Sequence, residues 1–475
     1  MIIDPGPGAS VAPPVQQGEP TLPEGTVTSD MEQGAKKPAA VESIARGLAT
    51  YVRGVHEPSL LGRLRREGWK TYVETPMPTR KSEEWRYTNL AELDPESFTP
   101  VSCEGERVSI EELPSPVRRA MESDRERSGV MVRHNGCLEH LRLDPALEER
   151  GVIYAPLEEI ADRRPELLER FLFQSDVAPM ERKLWSLHTA LLSGGYFLYV
   201  PKGVDIEHPV HTFRYLDEER GVVSTHSLIV AEAGARVTCI DEYVSPDLED
   251  GSLSLNGVEI FGAEGASVSY LAVQQYGRGV KHFSMQHSNT GKDSTLNGFN
   301  VTLGSDMARA DVTSHLEGEG ARSEMLALWF GDRDQHFDHH TLQHHEAPSA
   351  HSDLLYKGAL AARSSSVFRG LIKVAEGAQL TDAYQTNRNL LLSRDASAVA
   401  LPNLEIGADD VRCSHGATVG QVDETMLFYL MSRGLDREQS ERLLVFGFFD
   451  EVLERVPGEG VRARIRESIE AKIEA

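Results

Sequence analysis

No two cysteines in this chain stand close enough along the sequence to build a metal knot or a redox couple. Cys103, Cys137, Cys239 and Cys413 lie at least 34 residues apart, and no C-x-x-C occurs. That excludes a local zinc knot and a thioredoxin-like pair. It also denies the chain a cluster held by four local thiolates; further ligands would have to come from elsewhere. So few thiols in 475 residues, with no export signal, suggest a reducing cytoplasm. Apolar runs are short, none reaching about 18 residues, so no spanning helix is expected. The amino terminus has neither the basic n-region nor the apolar h-region of a signal peptide. Lys36 and Lys37 are the only basic residues before Arg46, which argues against an Arg-rich transit peptide. Positive charge is scarce throughout. Lys and Arg number 49 against 74 Asp and Glu, a formal charge of −25, which repels nucleic acid and anionic membrane alike. A Walker A loop, a G-x-S-x-G elbow and a dinucleotide fingerprint before a helix are all missing.

What remains is an ordinary globular composition, 40% hydrophobic and 26% charged, long enough for one large or two to three moderate domains. Residues 1–40 are rich in Pro, Gly, Ala and Glu and read as a disordered tail. Residues 41–192 read as a mostly helical domain. Leu60, Leu61, Leu64 and Trp69 give an amphipathic stretch, and a helix over Glu181 to Leu192 ends at Gly194-Gly195.

From 193 to 420 short alternating runs recur between glycine-containing turns. Gly203, Gly234, Gly265, Gly291, Gly320, Pro348, Gly377 and Gly407 anchor phrases spaced 26 to 31 residues apart. Such a period marks a solenoid, here of strands rather than helices. Each repeat holds two strands, as in Ser252–Phe261 before one anchor and Ala266–Val273 after it. The pattern points to a flattened parallel β-helix, with an antiparallel sandwich of regular hairpins as the alternative.

A solenoid must be capped, and residues 421–475 turn helical. Asp423 N-caps a helix carrying Leu427, Leu430 and Met431, with Gly434 past its end. Asp436 and Gln439 form a capping box for a second helix, which contains the uncharged run Leu443–Phe449. That run is apolar on more than one face. One side packs on its neighbour; the other either meets a partner protein or is internal too.

Three clusters carry chemistry. Cys413 and His415 sit two residues apart in a strand, hence on one face roughly 6.5 Å apart, within reach of one metal ion. The bland reading is a pair of core residues, since Val411, Ala417 and Val419 share their parity. In His336–His345, His336, Asp338, His340 and His344 share a face, either as a divalent-metal site, the basis of an autonomous metalloenzyme, or as a hydrogen-bonded ladder. The segment Arg80–Thr88 mixes charge and aromatics and reads as a docking surface. Asp241-Glu242 and Asp409-Asp410 would suit a carbohydrate-active enzyme, but neighbours on a strand point to opposite faces.

Together these residues name a family. Trp185–Val204, Lys357-Gly358, Val367–Gly370, Gln385–Asn387, Pro402–Ile406, the Cys413 motif and Phe428–Gly434 resemble the SufB/SufD family of iron–sulfur cluster assembly proteins, and Arg80–Leu90 is similar to the amino-terminal signature of its SufD branch. The resemblance covers about residues 50 to 456 and implies a right-handed parallel β-helix flanked by helical domains. It implies a non-catalytic scaffold that pairs with SufB through the solenoids, or forms a homodimer. The C-terminal helices would dock the ABC-type ATPase SufC, with Phe428, Arg433, Phe446, Phe448 and Phe449 at the contact. A transient iron–sulfur cluster or iron would form at the junction, with His415 as its ligand here, Cys413 beside it, and nothing tightly bound to the isolated chain.

Overall fold

The glycine anchors fall at one corner of every coil. The computed structural model describes residues 59–474, apart from 92, 102, 104–107, 124–125 and 175–181; the tail expected over 1–40 lies outside the described residues. Strands alternate between two ten-stranded sheets and wind into a parallel solenoid of about eight coils. Sheet A contains β4 (Ile153–Pro156), β5 (Gly194–Val200), β7 (Gly221–Ala231), β9 (Ser252–Gly262), β11 (Val280–Thr290), β13 (Met307–Leu316), β15 (His336–His345), β17 (Ser365–Val374) and β19 (Ser397–Ile406), with the two-residue β1 (Thr99–Pro100) beside β7. Sheet B contains β2 (Gly129–His134), β3 (Cys137–Leu143), β6 (Val210–Tyr215), β8 (Arg236–Val244), β10 (Ser267–Gln275), β12 (Thr295–Thr302), β14 (Arg322–Gly331), β16 (His351–Leu360), β18 (Asp382–Leu391) and β20 (Arg412–Gln421).

Each anchor turns the chain from a sheet A strand into the next sheet B strand. Gly203, Gly234, Gly265 and Gly320 hold φ between +66° and +71°, where an L side chain is strained. The alanines after the turn, Ala235, Ala266, Ala321, Ala350, Ala378 and Ala408, form a buried column, because consecutive coils leave room for little more than a methyl at the corner. The sequence period is therefore the circumference of one coil.

The two outer faces are covered by the two ends of the chain. Helices α1 (Ser59–Glu74) and α2 (Arg182–Ala190) press Trp69, Tyr72, Trp185 and Leu187 onto Leu253, Leu255, Phe283 and Met285 of sheet A. The segment Arg80–Thr88 docks on the chain's own solenoid. The Arg309 guanidinium lies 3.8 Å from the centroid of the buried Trp85 ring, and Thr88 Oγ1 donates to Asp338 Oδ2 at 2.5 Å.

The carboxy-terminal helices α3 (Glu424–Ser432), α4 (Arg437–Leu453) and α5 (Glu459–Ile473) begin as expected. Asp423 accepts from the amides of Thr425 and Met426, and Asp436 with Gln439 completes a capping box. They do not cap the solenoid, however. α4 and α5 fold back and lay Val445, Phe449, Val452, Ile465 and Ile469 along Leu271, Val273, Leu326, Leu328 and Phe330 on the outer face of sheet B. That face carries a broad apolar stripe, whereas the final coil offers Ser414, Gly416, Thr418 and Gly420; burial of apolar area decides the docking. Lys357 fixes the position, its Nζ donating to Phe448 O at 2.9 Å and to Glu451 Oε2 at 2.6 Å.

At the first end of the solenoid β4 runs antiparallel to β5, and the antiparallel β2–β3 hairpin joins sheet B through β2, which runs parallel to β6. Here the cysteines, read from the sequence as the thiols of a reducing compartment, divide. Cys103 and Cys137 are joined in a disulfide, which ties the segment after β1 to β3, while Cys239 and Cys413 remain free.

Candidate functional site at the open end of the solenoid

The last coil has nothing stacked on it among the described residues. β19 pairs with β17 and β20 with β18, and the far edge of each ten-residue strand carries no further strand. Almost every residue of β20 is exposed, on both faces.

Cys413 and His415 stand on this rim. In register, Cys413 lies over Ala383 and His415 over Gln385, both fully buried lumen residues. Alternation therefore points the pair inward, as their parity predicts. Cys413 is half-buried against Ala383, Ile372 and Val374, while His415 is exposed. They are not core residues: the inward face of the final coil is open because no further coil covers it.

The floor beneath is polar. Gln385 is buried with neither amide atom hydrogen-bonded. Its Nε2 occupies the space above Gly370, where a Cβ would fall 1.7 Å away. Deeper in, Gln343 Nε2 donates to Ser352 Oγ at 2.7 Å, and His345 Nε2 meets the same hydroxyl at 2.8 Å. Gln385 and Asn387, with Phe368 and Gly370 from the other motif prominent in the sequence, thus line the lumen below the rim, while Val367 and Arg369 face outward and Arg369 pairs with Glu83.

Chemically the rim pair is unequal. Burial pushes the Cys413 thiol up, and the Asp382 carboxylate adds to the effect, so the sulfur is held as a thiol at neutral pH. His415 presents an accessible imidazole. Two donors on one edge do not close a site around iron or a cluster, which takes four ligands. Cys239 offers no help: it is buried in the core and its thiol is pushed far up by burial.

The residues expected at a partner surface divide. Phe428 is 72% exposed, and Tyr429, Met426 and Met431 lie open beside it on α3. Arg433 is exposed, its guanidinium 5.0 Å from the Tyr429 ring centroid. Phe446 and Phe448 are half-buried against sheet B. Phe449 is fully buried there and faces no partner, which corrects its expected place on the docking surface.

The histidine cluster also divides. His336, Asp338 and His340 form a hydrogen-bonded ladder beneath Thr88 and Arg309, with Asp338 Oδ2 2.8 Å from Arg309 Nη1 and Oδ1 3.0 Å from His340 Nε2. Burial works to raise the Asp338 carboxyl, but His340 and Arg309 outweigh it and hold it far below the usual carboxylate range. Inward-facing His339 and His345 are pushed down to about 4 by burial. His344 belongs to a different group, with His315 and Glu346. The acidic pairs form no catalytic couple. Asp241 bonds Arg214 inside the solenoid, while Glu242 bonds His211 on the other face.

Comparison with known proteins finds two family models that together span most of the chain. Residues 213–448 match the family model described as "SUF system FeS cluster assembly, SufBD core domain", and residues 52–212 match "SufBD protein N-terminal region". The iron–sulfur cluster assembly protein SufD of Bacillus subtilis is 31% identical over 431 residues, covering 90% of this chain and 97% of that protein. An iron–sulfur cluster assembly SufBD family protein of Staphylococcus epidermidis is 26% identical over 415 residues, covering 85% of this chain and 87% of its own length.

Proposed function

Because the chain belongs to the SufBD family of iron–sulfur cluster assembly proteins, we propose that it is a non-catalytic scaffold subunit of a SufB–SufC–SufD-type complex in the cytoplasm. Its rim pairs with the rim of a SufB solenoid, and a nascent cluster is built between them as cargo. The observation that carries this reading is the uncovered last coil, whose unpaired edges template pairing with another chain and whose inward face presents His415 and Cys413.

Imidazole suits iron and exchanges readily enough to let a finished cluster leave. The protonated Cys413 thiol is the weaker donor, so SufB supplies the sulfur-receiving thiolate and the remaining ligands. The exposed apolar face of α3 docks SufC, and ATP hydrolysis there moves the helices and works the junction as a rigid-body change at an interface. In a reducing cytoplasm the Cys103–Cys137 bond opens without loss of the fold, since β3 stays paired with β2 and Val101 N with Val222 O.

The test is reconstitution with SufB and SufC. His415→Ala folds, joins the complex and fails to support cluster production. Full activity of that variant, or failure of the wild-type chain to co-purify with SufB, overturns the reading.

A further inference from the structure

Outside the rim, on the outer face of sheet A, three donor atoms converge. His315 on β13 and His344 on β15 are register partners, so their rings leave the same face one strand spacing apart, roughly 4.8 Å. Glu346, just past the end of β15, sets one carboxylate oxygen between them. Its Oε1 lies 2.7 Å from His315 Nδ1 and 2.9 Å from His344 Nδ1. The ring centroids are 5.3 Å apart with planes at 65°, and all three donor atoms lie within 4.8 Å of one another. The rings are partly covered while the carboxylate is exposed, which leaves one side open to solvent.

We propose that His315, His344 and Glu346 form a binding site for a divalent first-row transition ion, with the two Nδ1 atoms and one carboxylate oxygen as ligands and water in the remaining positions. Two imidazoles with one carboxylate are the donors of zinc(II), iron(II) and cobalt(II), whereas magnesium and calcium take all-oxygen sets. Bonds of about 2.1 Å place ligand atoms roughly 3.4 Å apart around a tetrahedral ion. Reaching that geometry takes only side-chain torsions, because both histidines are borne on paired strands. Lys373 follows His344 in the next coil and opposes a cation; Glu346, and Glu317 one coil earlier, offset it. Asn289, the register partner of His315 on β11, donates to Glu317 and so holds that second carboxylate near the site. The competing arrangement is a hydrogen-bonded triad in which both Nδ1–H groups donate to Glu346 and no metal enters.

The experiment uses the full chain, free of any polyhistidine tag and stripped with chelator, titrated with cobalt(II) and zinc(II) in the absence of partners. One equivalent of cobalt(II) is expected, with ligand-field bands and no sulfur-to-metal charge-transfer band. His344→Ala and Glu346→Gln each weaken that equivalent by about 100-fold or more, beyond the ~10–100-fold typical of losing an outer-shell partner. Cys413→Ser and His415→Ala leave it intact. Circular dichroism confirms that each variant folds, and His315→Ala replaces any that does not. Absence of binding, or binding that survives these changes or disappears with Cys413, overturns the proposal. The partners take no part, so failure here is distinct from failure of the assembly reading.

Discussion

At the rim, chemistry turns on two side chains with different fates. A thiol raised by burial and by Asp382 carries less thiolate at any given pH than an ordinary cysteine. Cys413 is therefore expected to react with iodoacetamide more slowly than free cysteine at pH 8, and to catch up only as pH rises further. Mass spectrometry of pulse-labelled protein reads this, and labelling as fast as free cysteine would refute it. The motif was legible in the sequence, and so was its inward face, which follows from alternation alone. Its exposure was not, because that depends on what stacks above β20. The Cys103–Cys137 bond was hidden as well, since no local spacing announces it.

For the helices, the question is which faces are spare. Phe428→Asp on α3 is expected to change stability by less than about 0.5 kcal/mol, as an exposed substitution does. It should weaken SufC binding by roughly 30-fold, the scale of a central interface aromatic. Calorimetry with SufC, beside a thermal melt, separates the two effects; unchanged affinity would move the docking surface elsewhere. Phe449→Ala does the reverse, with an expected cost of about 3–5 kcal/mol in chemical denaturation because it empties a packed site on sheet B. The uncharged run Leu443–Phe449 revealed a helix with too much apolar surface, but not which side the solenoid would claim. Capping boxes and corner anchors were readable because they are local. The docking of Arg80–Thr88 against Arg309 and the folding back of α4 and α5 join residues from about ninety to more than two hundred positions apart, and no periodicity encodes that.

Across the whole molecule, the lumen is lined with rings that must stay neutral. His282 is pushed down to about 3 by burial and then by the charge of Arg214, and His339 and His345 are pushed to about 4. Each lies below its ordinary 6.5, so its contribution is complete above that value and is lost as pH falls toward the folded-state values. Stability should fall by roughly 1 kcal/mol per histidine over the first pH unit below 6.5, with continued loss toward pH 4. Urea midpoints measured across that range check this, and a flat profile between pH 6.5 and 5 would contradict it. The same architecture sets a count. One end is finished by the antiparallel β2–β3 hairpin and the four-residue β4, and the other presents two ten-residue ladder edges that carry no further strand among the described residues. A rod with two bare ends polymerises without limit, but a rod with one has a valency of one. Growth through the long rim alone stops at two rods, so the proposed pairing at that rim ends in a pair rather than a fibre.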